Sequence, residues 1–90
     1  MLKYSIINAV EEKRADIGYS AWRIGLTHDL EERKSYWRDT QNQKVGLWAD
    51  WKADSLKDAQ DIEAHFIDKG MKGGTGGDLS AYKDGFVYVF

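Results

Sequence analysis

Apolar residues recur at three- and four-residue spacing from Leu56 through Ala59, Ile62 and Phe66 to Ile67, which predicts an amphipathic helix. Ser55 is its expected N-cap, with Asp58 three residues on, and Gly70 is placed to end it as the C′ residue. A second helix is expected to start at Leu30. Asp29 caps it, Glu32 completes a capping box, and Leu30 and Trp37 mark the inner face. Elsewhere the pattern favours strands. Leu2 to Val10, rich in Ile, Val and Tyr, is expected as a first strand. The polar stretch Glu11 to Asp16 then forms a hairpin loop, and Ile17 to Leu26 returns antiparallel as the second strand. Lys44 to Trp51 is a third strand, and the apolar ending Phe86 to Phe90 finishes the sheet. These elements predict an α/β (α+β) fold: a small, mainly antiparallel sheet of three or four strands flanked by two or three helices.

Two charges break the pattern. At about 100° per residue, Glu63 falls inside the apolar stripe of its helix. A carboxylate removed from water there must pair with a cation, bind a metal or carry a raised pKa. Arg33 projects within about 60° of both Leu30 and Trp37 on a helical wheel and so leans toward the core flank. Geometry alone leaves two readings: a buried ion pair between Arg33 and Glu63, or a functional site.

Composition narrows the function classes. Ninety residues, 42% hydrophobic and 31% charged, fit a single folded domain spanning 1–90. The absence of cysteine removes disulfides, thiolate metal sites and cysteine nucleophiles. No apolar run reaches the roughly 20 residues of a membrane helix, and Met1-Leu2-Lys3-Tyr4 lacks a signal-peptide pattern. No membrane association and an intracellular, cytoplasmic location are therefore expected. A formal net charge of -2 argues against a general electrostatic grip on nucleic acid, so any such binding needs a local patch. Arg23, Arg33, Lys34 and Arg38 offer one.

The order of elements, with Arg33 and Glu63 both turned inward, resembles the GIY-YIG nuclease family. Tyr4-Ser5-Ile6-Ile7-Asn8 is similar to the end of the family's first motif. Arg23-Ile24-Gly25 stands in the place of YIG, with arginine where the motif has tyrosine, and Arg33 follows that glycine at the family's spacing. Ala59 to Ile67 resembles the helix that bears the metal-binding glutamate, and the resemblance covers about Leu2 to Gly70. It implies an endonuclease that hydrolyses phosphodiester bonds in DNA or a related nucleic acid with one divalent cation, Mg²⁺ or Mn²⁺. Glu63 would ligate the ion, Arg33 would stabilise charge on the scissile phosphate, and Tyr4 would assist the attacking water. Arg23, Gly25 and Arg38 would contact substrate. Because a guanidinium stays protonated, Arg23 cannot replace the missing tyrosine as a base. The alternative is a catalytically inactive relative that binds nucleic acid or a protein.

Other features carry open readings. Gly70 to Gly77 is a glycine-rich loop, suited either to cradling phosphate or simply to moving. Trp22, Trp37 and Trp48 are expected in core and rim packing, with Trp51 as the candidate exposed platform for a base.

Overall fold

Asp29, in extended conformation, accepts a hydrogen bond from the Glu32 amide through its side chain, and the chain turns directly into helix α2 (Leu30–Ser35). Ser55 does the same for the Asp58 amide at the head of α3 (Leu56–Asp68). At the far end of α3, Gly70 takes φ 119°. There Met71 N–H donates to the Phe66 carbonyl and Gly70 N–H to the Ile67 carbonyl, the two bonds of a Schellman ending. Local sequence chemistry thus sets both helices where the pattern expects them. Beyond α2 the chain widens into a π-helical turn, Tyr36–Thr40, with Gln41 N–H reaching the Tyr36 carbonyl.

The protein, described here by a computed structural model at residues 1–73 and 85–90, is a small α+β fold of three α-helices and a three-stranded antiparallel sheet. Strands β1 (Ile24–Thr27), β2 (Ala49–Lys52) and β3 (Phe86–Val89) lie in the order β1-β3-β2, so the strand last in sequence is central. Both of its neighbours are antiparallel to it.

The first expected strand is instead a helix, α1 (Lys3–Arg14), which also absorbs most of the expected hairpin loop. Its buried residues are Ile6 and Val10, a spacing of one helical turn, and both join the core beside α3. Leu2 provides no side-chain cap and the first turn has no acidic residue, so nothing local announces the start. Tertiary burial decides this segment over its β-forming composition. The hairpin disappears with it. Tyr19–Ala21 is a short 3₁₀ turn rather than strand, β1 begins only at Ile24, and its partner is β3. The third strand is shorter than expected, starting at Ala49 rather than Lys44.

Register divides the sheet into two faces. Ile24 lies opposite Val89 and Leu26 opposite Val87; these four pack with Ile6, Val10, Ala59, Ile62 and Phe66 into the core. Gly25 and Asp50 flank Tyr88 on the other face. Arg23 and Phe90 exchange backbone hydrogen bonds at 2.8 and 3.1 Å, extending the ladder beyond β1 on that same face. On the outer side of β1, Ile24 N–H donates to the Lys72 carbonyl and Lys72 N–H to the Trp22 carbonyl. That bridge brings Lys72 beside Arg23. No helix among the described residues is long and apolar enough to cross a membrane. Gly74 to Gly77, half of the glycine-rich segment, lie outside the described residues.

Candidate functional site

Tyr88 is the centre of the polar face. It sits on the central strand, 4% exposed, with its ring laid across Gly25 on the neighbouring strand. A Cβ at position 25 would overlap the Tyr88 hydroxyl and Cζ, so glycine is the residue that admits this ring. The Trp37 indole donates from Nε1 to the Tyr88 hydroxyl at 2.9 Å. Trp37 is held there by the π-helical turn that continues α2. The Trp48 ring stacks on Tyr88 at 4.6 Å and 5° and on Phe90 at 5.4 Å. Its indole N–H donates to Asp50 at 2.8 Å, and the Lys34 ammonium lies 5.7 Å from its ring centroid.

Several charges act on the same phenol. Burial pushes the Tyr88 phenol above its ordinary value; the Trp37 donor and the positive charges of Arg33 and Arg23 oppose this, while the negative charge of Glu63 adds to it. Arg23 just before β1, Arg33 on α2, Glu63 on α3 and Tyr88 on β3 therefore share one electrostatic neighbourhood. Arg23 stacks its guanidinium over the Trp37 ring, 4.6 Å from the centroid. Arg33 lies 4.9 Å from the Tyr36 ring centroid, and its buried Nε has no hydrogen-bond partner among the described residues. Its nearest carboxylate is the exposed Glu32, at 3.9 Å, a surface pairing of little energetic value.

Glu63 is half-buried on α3, and burial pushes its carboxyl above the ordinary value. Among the described residues it forms no ion pair with Arg33 or any other cation within 4.0 Å. The ion-pair reading of these two inward charges therefore fails: they do not meet within 4.0 Å, although the charges of both act on the Tyr88 phenol. No three His, Cys, Asp or Glu side chains converge among the described residues. A metal at Glu63 would rest on this one carboxylate and water, a donor set that suits a hard cation such as Mg²⁺. Among the described residues no cation lies within 4.0 Å of this half-buried carboxylate, which fits that role.

The other expected site residues separate. Gly25 and Arg23 adjoin Tyr88, as described. Tyr4 does not: it is on α1, not on a strand, and is 72% exposed with Lys3 over its ring. The conversion of the first strand to a helix removes the strand position expected for it. Arg38 is exposed on the π-helical turn and bonded to Asp39 through both Nε and Nη2, at 3.0 and 3.1 Å. Trp51, the expected platform, packs against the core, while Trp48 covers Tyr88. Sequence reasoning missed Tyr88 altogether. Its one signal was position: a hydroxyl-bearing residue in the middle of an otherwise apolar strand, Phe86-Val87-Tyr88-Val89-Phe90.

No family model matches the chain, and neither curated proteins nor solved structures match it.

Proposed function

We propose that this protein is a metal-dependent phosphodiester hydrolase acting on nucleic acid, in the manner of GIY-YIG endonucleases, with Tyr88 in the role the sequence suggested for Tyr4. The observation that carries the reading is the buried Tyr88 phenol packed on Gly25 and bonded by Trp37, with the charges of Arg33, Arg23 and Glu63 within electrostatic reach of it. Arg33 offers a guanidinium with an unused N–H donor, suited to the non-bridging oxygens of a scissile phosphate as negative charge builds there. Tyr88 keeps its proton at neutral pH, because burial holds its pKa up. Since Trp37 donates to the phenolic oxygen, the Tyr88 O–H is left to donate to and orient an incoming oxygen, and the neutral phenol does not act as an anionic base. Glu63 would hold Mg²⁺ or Mn²⁺, whose charge polarises the phosphoryl group when bound.

A second reading has its own support. Trp48 lies flat on Tyr88, and arginine stands at position 23 where the resemblance calls for tyrosine. Both favour an inactive domain that binds nucleic acid or a protein through its arginine face.

The test is cleavage of labelled single- and double-stranded DNA and RNA by purified protein with Mg²⁺ or Mn²⁺, beside R33A and E63Q variants. Hydrolysis that falls at least about 100-fold in both variants supports the enzyme. Intact substrate with folded parent protein leaves the binding module.

A further inference from the structure

Beside the Tyr88 cluster lies a concavity of about 300 Å³, within the size of small-ligand pockets, and its charged side chains are all basic. Arg23, Lys44 and Lys72 line it, with the amides of Asn42 and Gln43 and the ring of Phe90. None of the three cations has a carboxylate within 4.0 Å among the described residues. Its wall also includes Trp22, a buried indole whose N–H has no acceptor among those residues. The pocket adjoins the site through two shared groups. Arg23 stacks on the Trp37 ring that bonds Tyr88, and Phe90 contacts Trp37 at 5.4 Å and Tyr88 at 6.2 Å.

We infer that this pocket binds one nucleotide unit of single-stranded nucleic acid next to the scissile phosphate: the phosphate against Arg23, Lys44 and Lys72, the base against Phe90. The inference rests on the reading of the site as one for nucleic acid and names its substrate as a single strand. Uncompensated cations supply the electrostatic term for a phosphate. An aromatic ring and amide side chains meet a base face and edge, which only an unpaired strand can turn into a pocket. A protein partner of acidic character would use the cations and leave the ring and amides without a role.

The test is fluorescence anisotropy of a labelled oligothymidylate 12-mer across a salt series in EDTA, so that binding is read without cleavage. In K44A/K72A the slope of log affinity against log salt should become shallower by about 0.7, the loss of one phosphate contact on a single strand. The matched control K13A/K57A, which removes equal charge elsewhere, should keep the parent slope. Circular dichroism verifies that both variants fold. Thymidine monophosphate should compete only at concentrations far above the 12-mer.

Equal slopes in parent and K44A/K72A, or an equal loss in the control, overturn the inference. Competition by the monophosphate at 12-mer concentrations also overturns it, in favour of a free-nucleotide site. Tight, pocket-dependent binding without cleavage in Mg²⁺ would retire the hydrolase and leave the pocket standing.

Discussion

On one face of the sheet, Ile24, Leu26, Val87 and Val89 meet Ile6, Val10, Ile62 and Phe66, all apolar and all under a tenth exposed. On the other, the alternate residues of the same strands gather a phenol, an aspartate and a guanidinium among stacked aromatic rings. The strands are shared, so the difference lies in which residue of each pair points which way. The first face contributes burial, about 1.5–3 kcal/mol for each large side chain removed from water. The second holds groups that burial alone does not stabilise: Glu63 and Tyr88 both have pKa values raised by desolvation, and Arg33 Nε has no hydrogen-bond partner among the described residues. Polar groups kept under such conditions are where function is to be sought.

Substitutions should divide along the same line. Phe66 is fully buried between the sheet and Tyr19, so F66A should cost about 3–5 kcal/mol in urea unfolding, the largest effect of the set. A loss under 1 kcal/mol would mean that the core is not organised around α3. G25A acts on the polar face by evicting the Tyr88 ring, with an overpacking cost of about 1–3 kcal/mol. Its diagnostic is near-ultraviolet circular dichroism. The Trp48–Tyr88 stack should lose its signal, and an unchanged spectrum would show that Tyr88 does not lie over Gly25.

Two carboxylates sharpen the contrast by opposite pH behaviour. At Glu11 burial pushes the pKa up, but hydrogen bonds from Arg14 and Tyr19 and the charges of Arg14 and Lys69 outweigh it and leave the pKa below 4.5. Its stabilising effect is present above 4.5 and is lost as pH falls through the folded-state value. E11Q should therefore lower stability at neutral pH, by a few tenths of a kcal/mol given the solvent screening there, and should converge on the parent in acid.

Glu63 has the reverse sign in metal-free protein. Its raised value makes the folded state bind the proton more tightly, so stability declines as pH rises from 4.5 through that value. E63Q should remove this decline and leave neutral-pH stability within about 1 kcal/mol of the parent or above it. A loss near 3 kcal/mol would instead restore a buried ion pair.

Much of the architecture was legible because its signals are local. Asp29 with Glu32, Ser55 with Asp58, and Gly70 each act within one turn of chain, and each cap forms as the spacing predicts. Arg33 and Glu63 were legible as misfits for the same reason, since a helical wheel needs only neighbours. Leu2 to Val10 was not. Its Ile, Val and Tyr residues fit a strand as well as a helix, and burial of Ile6 and Val10 beside α3 decides between them. That error carried Tyr4 into the site and hid Tyr88.

The chain alone determined the helices α2 and α3, the strand character of its ending, the glycine at 25 and the two displaced charges, because each is a matter of spacing and side-chain chemistry. Only the tertiary structure decided that β3 enters between β1 and β2, that Tyr88 lies on Gly25, and that the charges of Arg23, Arg33 and Glu63 act on it. Strand order and register depend on contacts between residues far apart in sequence, whose free energy is realised only when the core closes.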